Sequence, residues 1–135
     1  MKNIIKSILF TFTIVFIGAC EKDEGRLPDI SFKTGAGYVS TDTTIAGGSA
    51  IKIGIDAAKT EDKDVLKKFN ISRSVNGAAA TSVFDKTLSG SEGDNYTYDF
   101  TTTLDNTPGQ TNKYTFTVTN RDGLVNQVSL TVTVQ

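Results

Sequence analysis

Few residues of this chain could carry out chemistry, because it has a single cysteine and no histidine. Serine and cysteine nucleophiles usually depend on a histidine base, and zinc sites draw mainly on histidine and cysteine. A pair of carboxylates could still hydrolyse a glycosidic bond, but most acids here fall in predicted turns, where aspartate is favoured for backbone reasons alone. We therefore expect no enzyme activity, no catalytic residues, no metal and no cofactor.

Two groups of acids leave calcium binding open as an alternative, because calcium takes oxygen ligands from loops. They are Glu61-Asp62-Lys63-Asp64 and Glu92-Gly93-Asp94, which could meet at one end of a folded domain. Neither group matches an EF-hand loop, and Lys63 lies inside the first one. The simpler interpretation is that all of these residues are solvated acids in turns.

The single cysteine, Cys20, closes a segment with the pattern of a secretory signal peptide. Lys2 and Lys6 give the segment a basic start, and Ser7–Phe16 is mostly apolar. The apolar run of about ten residues is too short to span a bilayer, which takes roughly 20 residues as a helix. A basic start, a short apolar run and small residues before a cleavage point predict a signal peptide over residues 1–19.

Ile17-Gly18-Ala19-Cys20 resembles the lipobox of bacterial lipoproteins, a branched apolar residue and two small residues before a cysteine. The resemblance implies that the Cys20 thiol carries a diacylglyceryl group and that the peptide is cut before Cys20, whose new amino terminus is usually acylated too. Two or three acyl chains hold a protein on a membrane, whereas one chain binds reversibly. We therefore expect the membrane to be a partner through this anchor, with a flexible linker over residues 20–28.

The next residues, Lys22, Asp23 and Glu24, resemble the export signal of Bacteroidota surface lipoproteins, a lysine and two acids just after the lipid-bearing cysteine. The resemblance implies transfer to the outer face of the outer membrane, so we expect a lipid-anchored protein that faces the cell surface. A periplasm-facing position, with these residues as an ordinary charged tether, is the alternative.

One further short motif concerns modification. Asp42-Thr43-Thr44 resembles the O-glycosylation site of exported Bacteroidota proteins, in which Asp is followed by Ser or Thr and a small or apolar residue. The resemblance implies that Thr43 is a glycosylation candidate. Three residues in a threonine-rich chain also match by chance, and that alternative stays open.

From Pro28 onward, apolar and polar residues alternate, which is the pattern of a half-buried β-strand. Six stretches follow this pattern clearly, and they begin at Ile30, Ile51, Phe69, Tyr96, Tyr114 and Val128. A shorter stretch covers Ser82–Phe84 and extends toward Leu88. Two sheets stacked by their apolar faces would bury all of these strands on one side. We predict an all-β fold over residues 29–135, an immunoglobulin-like antiparallel sandwich of two sheets and about seven strands.

The segments between the predicted strands are mostly turns. Asn120-Arg121-Asp122-Gly123 predicts a hairpin between the last two strands, because Asp-Gly suits tight turns. Thr60–Lys68 is the one helical candidate, with Thr60 as a cap, acids in the first turn and lysines in the last. We expect a short turn of helix there, crossing between the sheets.

The region Ile51–Val134, most of the mature chain, resembles the single immunoglobulin-like, cadherin-like or PKD-like domains of Bacteroidota lipoproteins. The likeness is carried by Leu66–Phe69, Tyr114–Thr119, the turn at Arg121–Gly123 and the closing strand Val128–Val134. It implies a fold and no particular ligand, and the cysteine pair and core tryptophan of antibody domains are missing.

The resemblance favours a non-catalytic envelope lipoprotein that serves in protein interaction or adhesion, or as a structural module. The alternative is an accessory glycan-binding surface lipoprotein of an outer-membrane uptake system. The identity of the protein or glycan partner stays open in both cases. We expect no nucleic-acid partner, because the formal net charge is −1 and Lys67–Lys68 is the largest basic group after the signal peptide.

Overall fold

The computed structural model describes residues 25–135, which form eight β-strands and one short 3-10 helix. The strands are β1 (Asp29–Phe32), β2 (Thr43–Ile45), β3 (Ala50–Ala58), β4 (Leu66–Val75), β5 (Thr81–Thr87), β6 (Asn95–Thr103), β7 (Thr111–Asn120) and β8 (Val125–Val134); the 3-10 helix covers Gly90–Gly93. Within these residues, no helix is long and apolar enough to cross a membrane.

The strands form two sheets that pack face to face. One sheet has three strands in the order β1-β3-β6, and the other has five in the order β2-β8-β7-β4-β5. All neighbours are antiparallel except β2 and β8, which pair in parallel. The predicted immunoglobulin-like two-sheet sandwich is therefore confirmed, with eight strands in the described part instead of about seven.

The core follows from the alternation of apolar and polar residues along the long strands. Phe69 of β4 is fully buried, and its ring centroid lies 5.2 Å from that of Tyr96 and 5.8 Å from that of Tyr98 in the opposite sheet. Many of the other buried side chains come from β3, β7 and β8, among them Ile51, Ile53, Ile55, Tyr114, Phe116, Val118, Leu130, Val132 and Val134. Burial of these apolar surfaces is the main force that holds the two sheets together.

The helix expected over Thr60–Lys68 is wrong. Residues 60–63 form a bend and a turn, and Leu66 already begins β4. The register of β4 against β7 shifts between Leu66 and Lys68, so this end of β4 contains a β-bulge. A bulge adds one residue to a strand. Because of this extra residue, Leu66 and Phe69 both point into the core although they are three residues apart. A spacing of three residues also suits one face of a helix.

Candidate functional site

The predicted anchor and export residues, Cys20, Lys22, Asp23 and Glu24, lie outside the described residues, as does the predicted signal peptide. Lipidation and surface export therefore stay predictions. Thr43 begins β2, where it is half-buried and pairs with Val132 of β8. Its glycosylation also stays a prediction.

The predicted linker over residues 20–28 is described from Gly25 onward. Three of its carbonyls accept hydrogen bonds from the domain: Arg26 from Asn120 Nδ2 at 3.3 Å, Leu27 from Thr60 Oγ1 at 3.0 Å, and Pro28 from Asn126 Nδ2 at 2.8 Å. The chain is thus held against the sandwich before β1 begins.

The solvent-facing side of the three-stranded sheet carries a network of interacting side chains from three segments of the chain. Because β3 and β6 pair in antiparallel register, their outward residues face one another in five pairs, which are Ala50 with Thr103, Lys52 with Thr101, Gly54 with Asp99, Asp56 with Thr97, and Ala58 with Asn95. We refer to this surface as the outer face. Its side chains are polar except for the two alanines of β3, and Gly54 contributes only backbone.

Four side chains meet above Gly54 and form what we call the Tyr38 clamp: Lys33, Tyr38, Lys52 and Asp99. The Lys33 ammonium donates to Asp99 Oδ1 at 2.7 Å, and the Tyr38 hydroxyl donates to Asp99 Oδ2 at 3.0 Å. The Lys52 ammonium lies 4.4 Å from the centre of the Tyr38 ring, within the range of a cation–π contact. The clamp ties the loop after β1 to both β3 and β6.

Gly54 makes the clamp possible because it has no side chain. A Cβ atom at this position would lie 2.6 Å from Tyr38 Cε1, 2.7 Å from Lys33 Cδ and 2.9 Å from Asp99 Oδ1. The backbone holds both ends of the loop, since Lys33 N donates to Gly54 O and Val39 N donates to Lys52 O, each at 2.8 Å. Residues 34–38 must therefore arch across the outer face.

The electrostatics of the clamp favour a fixed array of charges. The hydrogen bond from Lys33 is the main factor that lowers the pKa of Asp99, and the same bond raises the pKa of Lys33. The hydrogen bond to Asp99 also raises the pKa of Tyr38. At neutral pH these shifts favour the Asp99 carboxylate, the Lys33 ammonium group and the neutral Tyr38 phenol.

Two shallow depressions flank the clamp along β3 and β6. The first has a volume of about 340 Å³ and presents the polar side chains of Asp29, Ser31, Asp56, Asn95 and Thr97. The second has a volume of about 380 Å³ and is lined by Lys52, Gly37 and residues 101–103. These volumes lie at the lower end of the range for small-molecule sites, about 300–1,000 Å³, and both depressions are open to solvent.

The two acidic groups named from the sequence do meet at one end of the sandwich, but a lysine lies between them. Lys59 Nζ is 2.7 Å from Asp94 Oδ1 and 3.6 Å from Asp62 Oδ1. Glu92 pairs with Lys86. Within residues 25–135, no group of three or more acidic, histidine or cysteine side chains is placed to hold a metal ion by itself. A calcium site that joins the two groups, which the sequence leaves open as an alternative, is therefore not formed by these side chains in the described residues.

The other two acids of the first group lie in a different environment. Asp64 is buried, with 1% of its surface exposed. Both of its carboxylate oxygens and Glu61 Oε2 are shielded from solvent and have no hydrogen-bond donor. The pKa of Glu61 is raised, first because its protonated form can donate to Asp64, and then by burial and by the Asp64 charge. No pattern in the sequence marks Asp64 as buried, because acids in turns are usually exposed.

Comparisons with known proteins support no assignment beyond the fold. No protein-family model matches the chain, and no curated protein is significantly similar to it. Among solved structures, the sporulation control protein Spo0M from Bacillus subtilis superposes with a TM-score of 0.49 at 9% identity, covering 81% of this chain and 49% of Spo0M. This chain thus spans about half the length of that protein.

Two further solved structures show a similar degree of likeness. The CARDB domain of the PF1109 protein from Pyrococcus furiosus, solved in complex with di-metal ions, gives a TM-score of 0.47 at 14% identity over 80% of this chain and 90% of that one. A β-glucosidase from Listeria innocua gives 0.49 at 10% identity over 80% of this chain and 16% of the enzyme. The strand order and packing themselves define the class of this domain, an immunoglobulin-like β-sandwich.

Proposed function

We propose that the protein is a non-catalytic, lipid-anchored lipoprotein of the outer membrane, and that its immunoglobulin-like domain binds a partner through the outer face. The Tyr38 clamp carries this proposal. It fixes a loop across the surface of the three-stranded sheet, and it leaves a shallow depression on each side. Such preorganisation lowers the entropic cost of binding.

The proposed position of the domain rests on Cys20 as the acylated residue and on residues 22–24 as the export signal. The backbone is held against the sandwich from Arg26 onward. Five residues separate Cys20 from Arg26, and a fully extended chain spans about 3.3–3.6 Å per residue. The domain would therefore lie close to the membrane, with the end that contains Asp64 and Asn120 nearest to the lipid.

A crosslinking experiment tests the binding surface. A photo-activated amino acid replaces Thr97 on the outer face in the full-length protein, which is then irradiated on intact cells of the native host. The control carries the same amino acid at Ser129, an exposed residue on the solvent-facing side of the five-stranded sheet. We expect a discrete adduct from Thr97 that Ser129 does not give; adducts from neither position, or equally from both, contradict the proposal.

Glycan binding is the second candidate, and the first depression favours it. Its side chains offer hydrogen-bond donors and acceptors of the kind that sugar hydroxyl groups use, from Ser31, Asp56 and Asn95. The Tyr38 ring is a poorer platform, because Lys52 already lies over it. A glycan array with the purified protein tests this candidate, with Ser31→Arg expected to abolish any signal and Ser129→Arg expected to retain it.

A further inference from the structure

Asp64, which is buried, and Glu61, which is half-buried, lie together at the end of the sandwich nearest to the proposed anchor. When both are ionised, no group in the described residues donates a hydrogen bond to three of their oxygens, which are shielded from solvent. An ionised carboxylate that is buried without a compensating charge is costly, and two such groups side by side repel each other. A cation between them would relieve both costs.

The surrounding segments are fixed around this point. Arg121 N donates to Val65 O at 2.9 Å, which ties the loop containing Asp64 to the turn after β7. The buried Asn120 side chain accepts hydrogen bonds from Asp122 N and Leu124 N at 3.1 and 2.9 Å. The loop and the turn are therefore held in place before any ligand arrives.

The backbone of Gly25 packs closely against the carboxylates. A Cβ atom at this position would lie 3.4 Å from Asp64 Oδ2, 3.4 Å from Asp122 Oδ2 and 3.0 Å from Leu124 Cδ1. The backbone of Gly25 also has a positive φ of 50°, which residues other than glycine rarely adopt. Asp64 and Asp122 thus each bring one carboxylate oxygen close to Gly25, where a side chain would be crowded.

We propose that this end of the domain binds one calcium ion, with the carboxylates of Asp64 and Glu61 as its side-chain ligands. The donor atoms are all oxygens, which hard cations prefer. Calcium takes six to eight oxygen ligands in flexible geometry, including backbone carbonyls and water, so two carboxylates suffice as a nucleus. Asp122 adds a further negative charge beside the site. Magnesium should bind less well than calcium, because it requires nearly ideal octahedral coordination.

The Arg26 guanidinium group is a positive charge of the protein that would compete with calcium for Glu61. Its charge lowers the pKa of Glu61, so it already interacts with one of the two proposed ligands. Its side chain is exposed and reaches neither shielded Asp64 oxygen, since both lack any donor. The calcium ion would therefore neutralise a charge that Arg26 leaves uncompensated.

Calorimetric titration of the full-length protein, purified in detergent and stripped with a chelator, tests the proposal with calcium chloride as the ligand. We expect one saturable site with a dissociation constant of roughly 10⁻⁴–10⁻³ M, as in extracellular calcium modules. Asp64→Asn keeps the shape of the side chain and should weaken binding at least about tenfold, the effect of 1.4 kcal/mol. Magnesium at the same concentration should bind more weakly.

The matched control is Asp62→Asn, which removes the same charge from the same loop but changes a fully exposed side chain paired with Lys59. Its affinity should stay within about twofold of the parent. If Asp64→Asn fails to fold, Glu61→Gln takes its place with the same expected loss. Absence of saturable calcium binding by the parent, or equal loss in the Asp62→Asn control, overturns the proposal.

Thermal unfolding adds a readout that a merely structural role would not give. Without calcium, Asp64→Asn should melt at a higher temperature than the parent, because it removes an unpartnered buried charge. With saturating calcium the order should reverse, because only the parent gains stability from the ion. A variant that is less stable under both conditions contradicts the calcium site.

Discussion

Replacing Phe116 with alanine tests the packing on which the whole sandwich depends. Phe116 is fully buried in β7, the middle strand of the five-stranded sheet. Its ring centroid lies 5.7 Å from that of Phe32 and 6.2 Å from that of Phe100, both in the opposite sheet. It also lies 6.4 Å from the ring of Phe69 in its own sheet. One side chain thus joins aromatic residues of both layers.

The expected loss follows from these contacts. Truncation of a buried phenylalanine costs about 3–5 kcal/mol, because the transfer free energy is lost and a cavity remains. Aromatic pairs contribute about 0.5–1.5 kcal/mol beyond the area they bury, so three neighbouring rings place Phe116→Ala in the upper half of that range. Domains are stable by only about 5–15 kcal/mol in total, so the variant should unfold at a much lower urea concentration.

Equilibrium urea unfolding, followed by far-ultraviolet circular dichroism, measures this loss. The control is Val125→Ala in β8, whose side chain is 44% exposed and should cost less than about 0.5 kcal/mol. If Phe116→Ala loses less than about 1 kcal/mol, or no more than the control, the assignment of inward and outward residues in β7 is wrong.

Three further perturbations address the anchor, the export signal and the clamp. Cys20→Ser should move the protein from the membrane fraction to the soluble fraction, and persistence in the membrane would refute acylation at this residue. Alanines at Lys22–Glu24 should reduce cleavage by protease added to intact cells, and unchanged cleavage would refute the sorting role. Gly54→Ala should displace Tyr38 and expose the loop at residues 34–38 to limited proteolysis, while changing the stability by no more than about 1 kcal/mol; cleavage as slow as in the parent would show that the clamp tolerates a Cβ atom.

The long strands were predictable because successive residues of a strand point alternately to the core and to solvent, so apolar and polar residues alternate in the sequence. Tyr114, Phe116 and Val118 alternate with threonines, and all three are buried. The strand β2 was missed because Thr43–Ile45 is too short to show a period. Its parallel partner, β8, also lies almost ninety positions further along the chain, as the pairing of Thr43 with Val132 shows.

The features of the candidate sites were harder to predict, because they depend on burial and on contacts between distant segments. Gly54 sits between two isoleucines in a strand, and a glycine in such a position can mark a close approach by another group. That signal could have pointed to the clamp, but it could not name Tyr38 or Asp99 as its partners. Asp64 and the exposed Asp62 belong to the same short acidic segment, and only the fold shows that Asp64 is buried and Asp62 is not.

The clamp and the carboxylate pair lie in different parts of the domain and share no side chain, so we expect the two proposed sites to respond to mutation independently. Free energies of mutations at sites without shared partners usually add. Gly54→Ala should therefore disturb the outer face without changing the calcium affinity, and Asp64→Asn should do the reverse. In the double variant both losses should appear together, with partner binding measured by crosslinking on intact cells and calcium binding measured by calorimetry on the purified protein. A calcium affinity that falls when only Gly54 is changed would mean that β3 couples the two sites, and that calcium at the membrane end adjusts the surface offered to the partner.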